Sequence, residues 1–267
     1  RILWSQPRNF LRRAVNLWDY TWQLGQIVAA DRIIAISHST KRDLLRFFPH
    51  LDPCKIVVTH LACDPIFAPA PSSPAALARL GITKPFLLYA GSIDFRKNLR
   101  GLLVAYEEIR HAGYDVQLVL IGQDFSEETI GQFPEIQRRL LTSPFCQDIV
   151  RPGFVATPDL AGLYSSALAL VFPSLYEGFG LPVLEAMACG CPVVAYRTSS
   201  IPEVVGSAGF LLGQSDDLAA AVARVIRDPV VRAKASEAGL QQAGKFSWVT
   251  TAAATVRVLQ EAAAAAR

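Results

Sequence analysis

The most informative residues of this sequence are two acidic residues on either side of a glycine-rich turn. Seven residues separate Glu177 from Glu185. Between them, Gly178 and Gly180 let the backbone turn tightly and approach a ligand, and Pro182 suits the first position of a helix. A helix that begins here offers free N–H groups and a positive dipole end to an anion. A carboxylate accepts hydrogen bonds from two neighbouring hydroxyls at once, so the pattern predicts a site for an anionic ligand rich in hydroxyl groups.

A second set of candidates lies in the sequence GSIDFRKN, which occupies positions 91–98. Arg96 and Lys97 follow a predicted strand, so we expect them at the same sheet edge as the glycine-rich turn. Two cations and a helix N-terminus in one crevice would neutralise a diphosphate, which gains negative charge as its bond to a sugar breaks. Arg96 is alternatively a surface charge. Asn98 is interpreted as the cap of the next helix rather than as a ligand.

The elements that must position these residues are short apolar strands that alternate with helices from residue 85 onward. Continuous apolar strands separated by helices favour a parallel sheet covered on both faces, and ligands of such sheets lie at the carboxyl ends of the strands. The pattern therefore predicts a complete doubly wound α/β domain. Strands are predicted at 86–90, 116–121, 148–151, 168–172, 192–195 and 209–212, and helices at 99–111, 127–141, from 158, 181–188, from 216 and 247–265, the last capped by Ser247.

The first part of the chain has a different pattern. It predicts a helix at 13–30, a strand at 31–36, a helix at 39–47 and a strand at 55–58. Two such units are too few to bury a parallel sheet, so this part is interpreted as the end of another Rossmann-like domain. Residues 68–74 form a linker candidate rich in proline and serine.

Composition excludes several classes of protein. The net charge of +3 is too small to indicate nucleic acid as a partner, and no apolar run reaches the ~18 residues of a membrane span. The opening RILWSQPRNFLRR favours either contact with an anionic membrane surface or a solvated helix end. The five cysteines have no pairing pattern and are interpreted as reduced, buried thiols of a cytosolic protein rather than as metal ligands.

Four further residues have structural interpretations. His38 is read as a turn residue near a helix cap, with a catalytic role as the alternative. His60 and His111 are read as structural, and Glu203 is expected to cap or brace the helix that follows it.

The ordered set of motifs resembles family 4 glycosyltransferases over about residues 31–248. The resemblance rests on EGFGLPVLEAMACG and GSIDFRKN together with ISHSTKRD, LACDPIF, GFV and IPEV. It implies a GT-B fold, in which two Rossmann-like domains face each other, and it divides the chain in three. Residues 1–70 would be the remnant of the N-terminal acceptor-side domain and 71–246 the nucleotide-sugar-binding domain. Residues 247–267 would return to the first domain.

The resemblance also implies roles for individual residues. Glu177 would contact the donor sugar near the reacting carbon, Glu185 would hold the ribose hydroxyls, and Lys97 would bind the phosphates. The loop 178–180 would present its backbone to the sugar and phosphate, and the loop 153–155 would meet the nucleobase. The expected catalytic residues are Glu177, Arg96 and Lys97. The expected donor-binding residues are Gly91, Ser92, Gly153, Phe154, Val155, Gly178, Phe179, Gly180, Leu181, Pro182 and Glu185. Ser92 departs from the arginine that many relatives carry there, and Arg96 would supply that charge.

The function that follows by resemblance is transfer of a hexose with retained configuration. The expected donor is GDP-mannose, the acceptor a glycan or lipid-linked glycan, and the setting bacterial surface polysaccharide or lipopolysaccharide assembly. We expect no metal or other cofactor, and a cytoplasmic protein, with peripheral association at the inner face of the membrane as a further expectation. Without a full first domain, the chain is expected to bind donor but transfer poorly. The alternatives are a non-catalytic nucleotide-sugar-binding protein and an epimerase or phosphorylase of the same fold.

Overall fold

The structure is a computed structural model that describes residues 25–265. The arginine-rich segment and most of the helix predicted at 13–30 lie outside these residues. The described residues form two parallel sheets with helices packed around them. The strands are β1 (Ile33–Ala35), β2 (Ile56–Val58), β3 (Phe86–Ala90), β4 (Gln117–Ile121), β5 (Ile149–Gly153), β6 (Ala169–Phe172), β7 (Val193–Tyr196) and β8 (Phe210–Leu212). The helices are α1 (His38–Phe47), α2 (Pro74–Arg79), α3 (Leu99–His111), α4 (Glu127–Ile130), α5 (Pro134–Thr142), α6 (Thr157–Ser166), α7 (Leu181–Ala188), α8 (Ile201–Val205), α9 (Leu218–Arg227), α10 (Pro229–Ala243) and α11 (Trp248–Ala265).

The larger sheet has the strand order β5-β4-β3-β6-β7-β8, and every neighbouring pair in it is parallel. All residues of β3, β4, β6 and β7 are buried. Both faces of these strands are apolar because helices cover both sides. Helices α6, α7, α8 and α10 pack on one face, and α3, α5 and α9 pack on the other. The predicted doubly wound α/β sheet is therefore confirmed.

The smaller sheet pairs β1 with β2 in parallel. It has its own small core, in which Ala35, Leu51 and Ile56 are buried under α1. Helix α11 lies against this part of the chain, where the Thr251 hydroxyl donates to the His60 carbonyl at 2.7 Å. Arg32 also pairs with Glu261 at 3.7 Å, so the part of the chain that holds the smaller sheet packs against the last long helix.

One predicted helix is split in the structure, and one helix of the structure was not predicted. The stretch predicted as one helix at 127–141 is α4 and α5, because Pro134 has no N–H and begins a new helix. The helix predicted from residue 216 is α9, and α10 has no counterpart in the prediction. Here Asp228 ends one helix and caps the next, as its side chain accepts from the N–H groups of Val230 and Val231 at 2.9 and 3.1 Å.

The proline- and serine-rich segment is held against the large sheet's helices. The N–H groups of Ala70 and Ser72 donate to the hydroxyls of Ser165 and Ser166 on α6, at 3.0 and 2.9 Å. Ser73 then caps α2, a short helix that the sequence pattern missed. No helix within residues 25–265 is both long and apolar enough to cross a membrane.

Candidate functional site

The site is positioned by the point at which the strand order reverses. Strands β3 and β6 are neighbours at the centre of the large sheet, and the chain winds outward from them in opposite directions. The loops that follow these two strands leave a crevice at the carboxyl edge, which is the usual ligand site of open parallel sheets. GSIDFRKN follows β3 and the glycine-rich turn follows β6, so both chemical motifs lie at this reversal.

An ion pair joins the two motifs. Lys97 Nζ donates to Glu177 Oε1 at 2.6 Å, and the two side chains are only 18% and 12% exposed. The ammonium also lies 5.3 Å from the centre of the Phe172 ring. The structure thus brings together the lysine and the glutamate that the sequence places 80 residues apart.

The backbone around Glu177 is fixed by a pair of serines that the sequence analysis did not identify. The hydroxyl of Ser199 accepts from the Glu177 N–H at 2.7 Å. The hydroxyl of Ser200 lies within bonding distance of two carbonyls, those of Glu177 at 3.1 Å and Phe179 at 2.9 Å. Ser199 itself has a φ of 46°, an unfavourable conformation for a residue other than glycine. The only sequence signal for these roles is their position just before IPEV.

The start of α7 has the features of an anion site. Gly180 precedes the helix with a φ of 103°, and no side chain within the described residues caps its first N–H groups. A Cβ at Gly180 would approach the Ile201 side chain to 2.7 Å, so glycine is required both for conformation and for space. Pro182 lies in the first turn, as predicted. The uncapped N-terminus of this helix carries partial positive charge next to Glu177 and Lys97.

Arg96 takes part in a different interaction from Lys97. Its guanidinium forms two hydrogen bonds to the Asp94 carboxylate, at 2.9 and 3.1 Å, and these bonds lower the pKa of Asp94. Asp94 also accepts from the Arg96 backbone N–H at 2.8 Å. The structure therefore places Arg96 in a local pair, 43% exposed, whereas Lys97 reaches across to the second motif.

Asn98 acts as the cap of α3, as interpreted from the sequence. Its backbone is in the left-handed region with a φ of 51°, and its side-chain oxygen accepts from the Gly101 N–H at 3.3 Å. Asn98 and Lys97 thus have separate tasks although they are adjacent in the chain.

A cleft of about 380 Å³ lies at the same sheet edge, and its lining includes neither Lys97 nor Glu177. Six of the predicted donor-binding residues line it: Gly91, Ser92, Phe154, Val155, Pro182 and Glu185. The sequence analysis missed several others, among them Gly122, Gln123, Asp124, Leu160 and Tyr164. The loops after β3, β4 and β5 and the first turns of α7 therefore share one hollow.

Glu185 is the most perturbed acid of the cleft. The Tyr164 hydroxyl donates to it at 3.1 Å. Burial raises the pKa of Glu185, and the bond from Tyr164 offsets part of that shift. Burial also raises the pKa of Tyr164 well above its usual range, so the tyrosine is a donor to the carboxylate. A partly desolvated carboxylate with a fixed orientation is suited to bind a pair of hydroxyls.

Glycines allow the loops after β3 and β4 to approach each other. Gly122 has a φ of 155°, and a Cβ there would collide with the Gly91 carbonyl oxygen. Beside them, the Asp124 carboxylate accepts from the Ile93 N–H at 2.7 Å, which fixes the loop that carries Ser92. Gly122 and Asp124 are thus positioning residues that no spacing in the sequence revealed.

The two phenylalanines of the loops 153–155 and 178–180 differ in exposure. Phe154 is 72% exposed at the cleft, and Gly153 before it has a φ of 74°. Phe179 is buried, with its ring packed on His60 and Phe246 at centroid distances of 6.0 and 5.8 Å. Only the backbone of Phe179 can face a ligand.

Comparison with known proteins supports the assignment of this architecture to a family. The family described as Glycosyl transferases group 1 matches residues 84–228. The O-antigen chain mannosyltransferase B of Escherichia coli is 34% identical over 236 residues, which cover 85% of this chain and 60% of that protein. This chain belongs to the group 1 glycosyltransferases.

Two further comparisons describe the breadth of this glycosyltransferase family. An alpha-maltose-1-phosphate synthase of Mycobacterium tuberculosis is 32% identical over 267 residues, covering 91% of this chain and 67% of the relative. The crystal structure of Anabaena HepE in complex with UDP and glucose superposes with a TM-score of 0.77 at 20% identity, over 97% of this chain and 69% of HepE. The fold is of the GT-B type.

Glu203 is structural, as interpreted from the sequence, but it does not cap the helix that follows it in the chain. Its carboxylate instead accepts from the N–H groups of His38 and Ser39, at 2.8 and 3.1 Å, and so caps α1 of the smaller sheet. His38 and Ser39 lie 165 and 164 positions before Glu203 in the chain, so only the tertiary fold brings these groups together.

The cysteines are free thiols, but they are not all buried as expected. All five lie within the described residues; Cys189 and Cys191 are buried, Cys63 and Cys146 are half-buried, and Cys54 is exposed. Cys54 lies in the turn before β2, where no core covers it. Burial raises the pKa of Cys189 to about 12. This side chain therefore stays protonated at neutral pH and packs in the core as a small apolar group.

Proposed function

We propose that this chain binds a nucleotide sugar across the carboxyl edge of its large sheet and serves the transfer of a hexose with retained configuration. The observation that carries the proposal is the Lys97–Glu177 pair beside the uncapped start of α7. A cation, a helix N-terminus and a carboxylate in one crevice suit a sugar joined to a diphosphate.

The parts of the donor would follow the cleft in order. The nucleobase would lie on the loop 153–155, where Phe154 is exposed, and the ribose hydroxyls would bind the oriented carboxylate of Glu185. The diphosphate would lie at the N-terminus of α7 and bind Lys97, with the sugar next to Glu177 and the backbone of 178–180. Binding of the diphosphate would weaken the Lys97–Glu177 pair and leave Glu177 free to accept from sugar hydroxyls.

The chemical step that this arrangement supports is a front-face displacement. The bond between the anomeric carbon and the phosphate oxygen breaks, and a bond from the acceptor oxygen forms on the same face. The departing diphosphate takes the acceptor proton. Lys97 and the helix N-terminus stabilise the charge that develops on the diphosphate, and no metal ion or other cofactor has a step in this proposal.

For the donor we propose GDP-mannose, and for the acceptor a glycan or lipid-linked glycan of a bacterial surface polysaccharide, made at the inner face of the membrane. The mannosyltransferase name of the Escherichia coli relative supports mannose. The R-K-N sequence at 96–98 also resembles that of a subset of family 4 that is rich in mannosyltransferases. The relative named alpha-maltose-1-phosphate synthase shows that members of this family differ in product, so the base and the sugar need direct measurement.

The test is calorimetric titration of the chain with GDP, UDP, GDP-mannose and UDP-glucose. We expect binding of one GDP or GDP-mannose per chain, with the uridine ligands at least tenfold weaker. A preference for the uridine ligands would overturn the choice of donor, and no binding of any of the four would overturn the proposed site. This chain spans 60% of the Escherichia coli relative, so transfer is measured on the complete gene product. Binding of the donor without transfer or hydrolysis would indicate a non-catalytic protein.

A further inference from the structure

Three side chains with metal-ligating atoms meet at the junction between the smaller sheet and the large one. His38 begins α1, His60 follows β2, and Glu203 lies in α8. One ligand atom from each lies within 4.8 Å of the ligand atoms of the other two. The donor placement proposed above gives none of the three a role, although the Phe179 ring of the loop 178–180 packs on His60.

The spacing of two of these atoms already suits a tetrahedral ion. His60 Nε2 lies 3.3 Å from Glu203 Oε2. With zinc–nitrogen and zinc–oxygen bonds of about 2.0–2.2 Å, neighbouring ligand atoms of a tetrahedral site are roughly 3.3–3.5 Å apart. The His38 ring lies edge-on to the His60 ring with centroids 5.5 Å apart. It is exposed, so a rotation of its side chain would bring its ligand atom towards those of both other residues.

Neighbouring groups hold two of the ligands in place. The N–H groups of His38 and Ser39 fix the Glu203 carboxylate, and Phe246 and Phe179 pack against the His60 ring. Supporting contacts of this kind orient the ligands of metal sites. The His60 side chain is 36% exposed, so solvent can reach the cluster and supply a fourth ligand.

A purely structural His–Glu contact explains less of this arrangement. It accounts for His60 and for the cap that Glu203 forms on α1, but it assigns no role to the exposed His38 ring that lies edge-on to His60. We propose that His38, His60 and Glu203 bind one zinc ion that fastens the smaller sheet to the large one. Imidazole and carboxylate ligands are typical of such sites, and a partly open one retains water.

The experiment measures Zn²⁺ binding to the full chain by equilibrium dialysis, and Co²⁺ binding by visible absorption. We expect one ion per chain in the wild type and in His50→Ala, which removes an exposed histidine outside the cluster. His38→Ala, His60→Ala and Glu203→Gln are each expected to lose at least tenfold in affinity. Glu203→Gln keeps an oxygen that can cap α1, so it remains informative if a histidine variant folds poorly.

The Co²⁺ spectrum and the thermal transition separate this site from adventitious binding. We expect tetrahedral bands without the intense thiolate charge transfer that binding by exposed Cys54 would give, and a rise in Tm of a few degrees with Zn²⁺ in wild type but not in His60→Ala. The absence of a bound ion, thiolate bands, or equal affinity in the cluster variants would overturn the proposal. GDP titration in parallel reports on the donor site, whose failure would leave the Zn²⁺ result unaffected.

Discussion

Lys97 and Glu177 form a contact between charges that are both largely removed from water. Such a pair is marginal for stability, because desolvation of the two charges opposes their attraction. Its position at the strand-order reversal is explained if each charge is needed by a ligand. The proposed donor supplies both partners, since its phosphates replace the carboxylate at Lys97 and its sugar hydroxyls replace the ammonium at Glu177.

Glu177→Ala is expected to abolish transfer by the complete protein, with a loss of at least about 10²-fold in kcat, as for removal of a group that acts on the transition state. Circular dichroism should show an unchanged fold, because the serines that hold this loop bind its backbone. The control is Glu237→Ala, which removes an exposed glutamate of α10. Turnover near that of the wild type would refute the role of Glu177.

Lys97→Met is expected to weaken the binding of GDP about 10- to 100-fold, as a charge-assisted hydrogen bond is worth roughly 1.5–3 kcal/mol. Guanosine, which has no phosphate, should bind the variant and the wild type equally. Calorimetry measures the affinity of the variant and of the wild type for both ligands. Lys234→Met serves as a matched control, because Lys234 is an exposed residue of α10. Equal losses for GDP and guanosine would show that the change disturbs the whole cleft.

Glu185→Gln is expected to stabilise the fold at neutral pH while weakening ligand binding. Burial raises the pKa of Glu185, so the folded state holds its proton more tightly than the unfolded state does. This contribution to stability is complete below the ordinary glutamate pKa and is lost as the pH rises through the raised pKa. In thermal unfolding between pH 4 and 8, the Tm of the variant should rise relative to the Tm of the wild type as the pH increases. A constant difference would argue against this cause.

At the scale of elements, the turn into α7 depends on a glycine rather than on a cap. Gly180→Ala would force a side chain into the left-handed region and against Ile201, at a cost of about 1–2 kcal/mol or more, equal to several degrees in Tm. The helix N-terminus would shift as well, so GDP should bind more weakly. Gly131→Ala is the control, because its φ is −60° and its Cβ meets nothing within 4 Å. Similar effects of both changes would contradict this reading.

At the scale of the whole molecule, Glu203 connects the smaller sheet to the large one. Glu203→Ala removes the acceptor of two N–H groups at the start of α1, which is worth about 1.5–3 kcal/mol. We expect hydrogen exchange to accelerate by about tenfold or more in the peptide that covers α1, measured without added metal. Exchange in β3 and β4 should stay unchanged, and an equal acceleration there would mean that the variant loosens the entire fold.

The sequence determined the large sheet because its signals are local. Apolar runs of four or five residues are too short for typical helices, and their alternation with amphipathic stretches indicates buried parallel strands with helices on both faces. The same local chemistry placed Asn98 as a cap and Pro182 in the first turn of a helix. The carboxyl-edge rule then located Lys97 and Glu177 near each other without any coordinates.

Only the tertiary structure decided which groups actually meet. It paired Arg96 with Asp94 and Lys97 with Glu177, although the two cations are adjacent and equivalent by pattern. It also brought Tyr164 to Glu185, the two serines to the glycine-rich turn, and Glu203 to a helix 165 residues away. Spacing along the chain carries no record of these contacts, because each depends on how the loops and helices pack after the strands have set the frame.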